Sequence, residues 1–159
     1  MRYFLLDRIT AFERGKRACA VKCVTLTDEI LHDHFPDHPI LPGALLIESM
    51  SQLGGFLVEL SFNTETGEIV RRAILAQIKE AKFHRGCRPG DRIELEAVLE
   101  SQLDDAARVS ATATVDGERV ARAELTFILR EVDSERVHEQ RRQIYRVWTR
   151  DLKPPPQIP

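Results

Sequence analysis

His34 and Glu48 are the residues of this chain whose types and spacing best fit proton-transfer chemistry. Imidazole titrates near neutral pH and serves readily as a general base. A carboxyl group inside an apolar helix is its natural counterpart. Burial raises a carboxyl pKa, and a raised pKa suits a general acid working near neutrality. Gln52 follows Glu48 by one helical turn and shares its face. Gly43 and Ala44 stand between base and acid, at the expected start of the helix, where free N–H groups and the helix dipole favour a developing oxyanion. The plain alternative is a core glutamate satisfied by Gln52 or a backbone group. Base, acid and oxyanion donor within fifteen residues argue for catalysis instead.

Two elements must hold these groups. From His34 to Gly43 a proline stands at every third position, 36, 39 and 42. Each ring fixes φ, removes an N–H and pushes the preceding residue out of the helical region, so the stretch is predicted as a rigid, extended arm. At Ala44 the pattern inverts to a helix reaching about Leu60. Its apolar residues fall on every face, which predicts burial all round, with Glu48 as its carboxylate.

The remainder has the period of strands. Residues 3–9 are predicted as a short first strand and 16–24 as a second, with Cys19, Val21 and Cys23 on one face. Residues 27–31 resemble a brief helical turn, and 63–70 a polar loop around Gly67. Ile74, Ala76 and Ile78 alternate in a strand that reaches Phe83. Arg88-Pro89-Gly90-Asp91 places proline and glycine in type II order. Ile93, Leu95, Ala97 and Leu99 alternate, as do Val109, Ala111, Ala113 and Val115. Asp116-Gly117 is a two-residue hairpin signal leading into Ala121, Ala123, Leu125, Phe127 and Leu129. The expected class is α+β, an antiparallel sheet of five or six strands wrapped around one long central helix.

The run His34-Phe35-Pro36-Asp37-His38-Pro39-Ile40-Leu41-Pro42-Gly43-Ala44-Leu45-Leu46-Ile47-Glu48-Ser49-Met50-Ser51-Gln52 resembles the signature of the hot-dog-fold beta-hydroxyacyl-[acyl-carrier-protein] dehydratases. That pattern is His-Phe-Pro-Gly-x-Pro-x-x-Pro-Gly-x-Leu-x-x-Glu-Ala-x-x-Gln. The flanks are similar too, in Tyr3–Ile9 and in Ala81–Arg85 through Pro89-Gly90-Asp91, so the likeness spans roughly residues 3–130. Asp33 and Asp37 depart from it, standing where the family usually has glycine. The resemblance implies a hot-dog domain over 1–130 and dehydration of a (3R)-hydroxyacyl chain on acyl carrier protein to the trans-2-enoyl thioester. In that family His34 would take the C2 proton, the Gly43 N–H would hold the thioester oxygen and Glu48 would protonate the leaving hydroxyl. Gln52 and Ala44 would complete the substrate site, Phe83, Ile40, Leu41 and Leu45 would line an acyl tunnel, and Lys82, Arg85 and Arg88 would contact the carrier. No metal or organic cofactor is implied. Base and acid of one site come from opposite subunits, so at least a homodimer is expected.

Composition bounds these readings. At 159 residues the chain is long enough for its own core. A formal net charge of −2 argues against nucleic acid as a partner. No apolar run has the length of a membrane span or signal peptide. Cys19, Cys23 and Cys87 are odd in number and show no metal-type pairing, as expected of reduced thiols in a cytoplasmic protein. His32, His34 and His38 with Asp33 and Asp37 have ligand chemistry, but no distant ligand at a recognisable spacing accompanies them, so no metal site is expected. Residues 131–159 change character. Arginines alternate with Glu135 and Glu139 around a thin stripe of Val137, Ile144, Val147 and Trp148, predicting an amphipathic C-terminal helix before a proline-rich tail. This helix either packs on the domain or docks an acidic carrier. Two rival functions belong to the same fold: an acyl thioesterase, which would not need the His-Phe-Pro arm, and a non-catalytic domain binding acyl chains on carrier protein or coenzyme A.

Overall fold

Side-chain alternation builds the sheet. In the computed structural model, which describes residues 3–63 and 70–159, six strands form: β1 (Arg8–Glu13), β2 (Arg17–Cys23), β3 (Arg71–Phe83), β4 (Arg92–Gln102), β5 (Ala106–Val115) and β6 (Glu118–Glu131). They pair antiparallel in the order β1-β2-β4-β5-β6-β3. The residues predicted to point inward from β4, β5 and β6 are buried, Leu99 only in part. Alanines 97, 111, 113, 121 and 123 keep that inner face shallow, so a helix can lie close against it. That helix is α1 (Gly43–Phe62), around which the sheet curls in the hot-dog arrangement. Met50, Leu53, Phe56, Leu57, Val58 and Leu60 are fully buried, as an apolar pattern on every face demands.

Turn chemistry closes the strands as expected. Asp116 and Gly117 both have positive φ, at 51° and 81°, as a two-residue hairpin of the primed kind requires. Gly90 has φ +95°, and the Asp91 N–H bonds the Arg88 carbonyl at 3.0 Å, which is the predicted type II turn. The expected loop around Gly67 lies outside the described residues.

Three expectations need correction. The first strand runs over Arg8–Glu13, not 3–9. The apolar residues Leu5 and Leu6 are buried without joining the ladder, because Tyr3 and Leu5 give their backbone groups to Gln52 of α1 instead. Glu48 is only half-buried. The buried carboxylate of α1 is Glu59, 1% exposed, which lies in the same apolar run. In the C-terminal helix α2 (Glu135–Thr149) the stripe is carried by Tyr145 and Trp148, both buried in the common core, while Val147 is exposed.

β3 is an edge strand, bonded only to β6. Its alternating apolar residues do not enter the core: Ile74 is 45% exposed, Ile78 46% and, at its end, Phe83 51%. A long, uncovered apolar edge is what isolated proteins avoid.

Candidate active site

The arm folds back on itself. The Ile40 N–H bonds the His34 carbonyl at 2.8 Å, and the Phe35 and His38 backbones exchange bonds of 3.1 and 2.9 Å. Leu41 N–H is tied to the Cys87 carbonyl at 2.8 Å, and Ile40 packs on Gly86, where a β-carbon would come within 2.8 Å of its Cγ2. Asp37 has φ +60°. The position that the resembling pattern fills with glycine is therefore left-handed here as well, taken by a residue type that enters this region more easily than most.

This fixes the histidine's chemistry. His34 Nδ1 lies 2.8 Å from the Ile40 carbonyl oxygen. A carbonyl only accepts, so Nδ1 carries a proton, and in the neutral tautomer this leaves the lone pair on Nε2. The ring stacks on Phe35, with centroids 4.0 Å apart. An imidazole clamped through Nδ1, with Nε2 as the other nitrogen, has the arrangement of a general base.

α1 begins where the arm ends. Its first backbone bonds run from the Leu45 and Leu46 N–H groups to the Pro42 carbonyl. The N–H groups of Gly43 and Ala44 precede them and are free of the helical ladder. The Phe83 ring covers Gly43 so closely that a β-carbon there would meet it at 3.0 Å.

Glu48 is one turn further on, oriented by Gln52. Gln52 Nε2 donates to Glu48 Oε1 at 2.9 Å and to the Tyr3 carbonyl at 2.8 Å, while its Oε1 accepts the Leu5 N–H at 2.9 Å. A carbonyl on one side and an N–H on the other leave the amide only one orientation. Glu48 opens into a cleft of about 300 Å³ walled also by Tyr3, Phe4, Gln52 and Arg141, and into a smaller space of about 110 Å³ that leads toward Glu59. His34 lines neither.

The other predicted residues scatter around the arm. Leu41 is buried, Ile40 and Leu45 are half-buried and Ala44 is exposed. Lys82 pairs with Glu80 at 2.8 Å, Arg85 with Asp91 at 3.2 Å, and Arg88 gives its N–H to Asp91; all three cations are exposed.

A polar cluster missed in the sequence lies behind the site. Glu59 Oε2 accepts from Arg72 Nη1 at 2.9 Å and from the Tyr145 hydroxyl at 2.8 Å, and Oε1 accepts the Ala73 N–H at 3.1 Å. Arg72 Nε donates to His138 Nδ1 at 3.1 Å. Burial first, then the adjacent Glu59 charge, push the Tyr145 phenol well above its ordinary range, so it stays a donor. A glutamate in an otherwise apolar helical run was the one signal available for this cluster.

Comparison with known proteins agrees with this architecture. Residues 1–124 match the FabA-like domain. The 3-hydroxyacyl-[acyl-carrier-protein] dehydratase FabZ of Exiguobacterium sibiricum is 40% identical over 128 residues, covering 80% of this chain and 89% of that protein. The FabZ of Latilactobacillus sakei is 41% identical over 125 residues, 79% of this chain and 86% of its own length. Among solved structures, smu.793 from Streptococcus mutans, bound to acetyl CoA, superposes with a TM-score of 0.64 at 20% identity, covering 84% of this chain and 96% of that one. At that identity the likeness speaks for the fold. No helix among the described residues is long and apolar enough to cross a membrane. The match over most of the chain, the intact His-to-Glu spacing and the hot-dog architecture carry one conclusion: the chain belongs to the 3-hydroxyacyl-[acyl-carrier-protein] dehydratase family.

Proposed function

We propose that this protein is a cytoplasmic lyase that dehydrates a (3R)-hydroxyacyl chain, carried on the phosphopantetheine of acyl carrier protein, to the trans-2-enoyl thioester. The observation that carries this reading is the His34 clamp. With Nδ1–H held by the Ile40 carbonyl, Nε2 is the nitrogen left to act as a base. The thioester makes the C2 hydrogen acidic, and Nε2 removes it. The negative charge that builds on the thioester oxygen meets the unpaired N–H of Gly43 at the start of α1. The C2–H electron pair forms the C2–C3 double bond as the C3–O bond breaks. Glu48, oriented by Gln52, gives its proton to the departing hydroxyl, which leaves as water. Proton return from His34 to Glu48 restores both groups.

The site is shared between two copies of the chain. Within one copy Glu48 borders two spaces and His34 lines neither, and β3 offers a strand edge with Ile74, Ile78 and Phe83 uncovered. A two-fold dimer through β3 would pair the edge, cover these side chains and place the base of one copy beside the acid of the other. Lys82 on β3 and Arg85 and Arg88 just beyond it are exposed cations that would face an acidic carrier.

The test is ultraviolet absorbance of the conjugated enoyl thioester, made from hydroxyacyl carrier protein by the wild type, His34→Ala and Glu48→Gln. Loss in each variant, with activity regained when the two are unfolded and refolded together, supports both roles and the shared site, because one site of the mixed dimer is intact. A silent wild type sinks the dehydratase reading, and failure of the mixture to recover sinks the sharing.

A further inference from the structure

The face of α2 that meets the domain has two parts. Tyr145 and Trp148 are sunk in the core. One and two turns earlier, at helical spacing on the same side, Val137, Gln140 and Arg141 form a wall of the cleft into which Glu48 opens. Arg141 also borders the smaller space between Glu48 and Glu59. A single guanidinium therefore lies at the edge of both spaces adjoining the proposed acid. Its place is fixed from below. The Tyr145 hydroxyl is bonded to Glu59, three turns along α1 from Glu48, so acid and wall are referred to one helix. The FabA-like match ends at residue 124, before α2 begins, so this wall is not part of the shared family domain.

Arg141 is held only loosely by its neighbours, a long ion pair to Glu59 and the Tyr145 ring 6.0 Å from its guanidinium carbon. Its Nε stands 3.9 Å from Glu59 Oε1, while the Glu59 oxygens already accept from Arg72, Tyr145 and Ala73. The side chain stays 33% exposed. Guanidinium is charged at every working pH, and methylenes packed against it would displace its water without offering a hydrogen bond in return.

We propose that Arg141 is a specificity-determining residue: it closes the acyl cleft beside Glu48 with a hydrated cation and directs the site to short-chain 3-hydroxyacyl thioesters over long alkyl ones. This rests on the reading of the Glu48 cleft as an acyl site. A short chain ends before the guanidinium, whereas a long one must run against it.

Binding, not turnover, is the decisive readout. The probes are amide-linked 3-hydroxybutyryl- and 3-hydroxyhexadecanoyl-pantetheine, whose C2 hydrogens are too weakly acidic for turnover. Calorimetry on the full-length protein gives the ratio of long- to short-chain affinity. Arg141→Met is expected to raise that ratio at least tenfold, while Arg141→Lys, which keeps the charge, stays near the wild-type ratio. If the Met variant does not fold, Val137→Phe, which narrows the same wall, is expected to lower the ratio instead. A ratio unmoved by the folded wall variant, or both affinities falling together, overturns the proposal. Enoyl formation is measured alongside. A wild type that dehydrates nothing, while the wall variants shift the ratio as stated, removes the dehydratase reading and leaves the wall in place.

Discussion

Arg72→Leu tests whether α2 is seated as described. Glu59 and Arg72 form an ion pair with side chains only 1% and 3% exposed. Removing one partner of a buried pair leaves the other charged and unsolvated, a loss of about 3–5 kcal/mol. Arg141, whose Nε stands 3.9 Å from Glu59 Oε1, makes no hydrogen bond in its place, so the Arg72 contact is not replaced. For a domain of this size about 1 kcal/mol moves Tm by roughly 2–4 °C, so a fall of roughly 6–20 °C is expected. The triple variant Glu59→Leu/Arg72→Leu/Tyr145→Phe removes the ion pair and the hydroxyl together, leaving the Ala73 N–H as the main group without its partner. Arg72 Nη2 already lacks a partner among the described residues, which itself weakens the native pair. The triple variant is therefore expected within about 2 kcal/mol of wild type, far above the single one. Urea and thermal unfolding by circular dichroism, at one fixed protomer concentration because any self-association would feed into Tm, give both values. An Arg72→Leu protein within about 1 kcal/mol of wild type would refute the reasoning: the pair would then be solvated, and α2 would not lie over it.

Adjacent glycines of α1 should respond in opposite directions. A β-carbon on Gly54 would come within 2.9 Å of the buried Phe127 ring, but one on Gly55 only within 3.8 Å. Gly55→Ala should stabilise by about 0.5–1 kcal/mol through helix propensity, whereas Gly54→Ala should lose about 1–3 kcal/mol to overpacking, less that gain; equal urea midpoints would contradict the packing. Tyr145 holds its proton in the folded state above the ordinary tyrosine value of 10.0. Its contribution is whole below that pH and declines as pH rises beyond it, because the unfolded chain ionises first. Tyr145→Phe should flatten the fall in urea midpoint between about pH 9.5 and 11, and an unchanged slope counts against the buried phenol. Gln52→Leu frees Glu48 from a bond worth about 1.5–3 kcal/mol. Steady-state kinetics should show kcat lower by roughly 10- to 100-fold with KM nearly unchanged, and a rise confined to KM would instead make Gln52 a substrate contact.

Where side chains alternate against a single neighbour, the sequence was enough to place them. The inward residues of β4, β5 and β6, the Asp116-Gly117 turn and the Pro89-Gly90 turn depend on periods and φ preferences that operate over two to four residues. Residues 3–9 failed for a definite reason. Their apolar character answers to the core, but their backbone groups bond to the side chain of Gln52, some fifty residues away, and no local window contains that partner. α2 failed more narrowly. Tyr145 is four residues from Arg141 and three from Trp148, so the helical spacing that put Trp148 on the stripe also required Tyr145 and not Val147.

The site divides along the same line. His34, Gly43, Glu48 and Gln52 sit in one uninterrupted run, and the prolines that stiffen it are visible as letters, so the candidate residues were legible from spacing. Glu59 was not, because its meaning depends on Arg72 and Tyr145, each ordinary within its own strand or helix. β3 lies between these cases. The alternation of Ile74, Ala76 and Ile78 is plain in the sequence and correctly marks a strand, yet in a single copy that alternation faces solvent. Within one chain it is an unexplained apolar edge. With a second copy against it, the same residues become an interface, and the separation of His34 from the Glu48 cleft becomes the expected geometry of a shared site. Two features of a single copy, an apolar strand left bare and a base that does not line the acid's cleft, would share one physical cause under the proposed dimer: half of the site supplied by the partner.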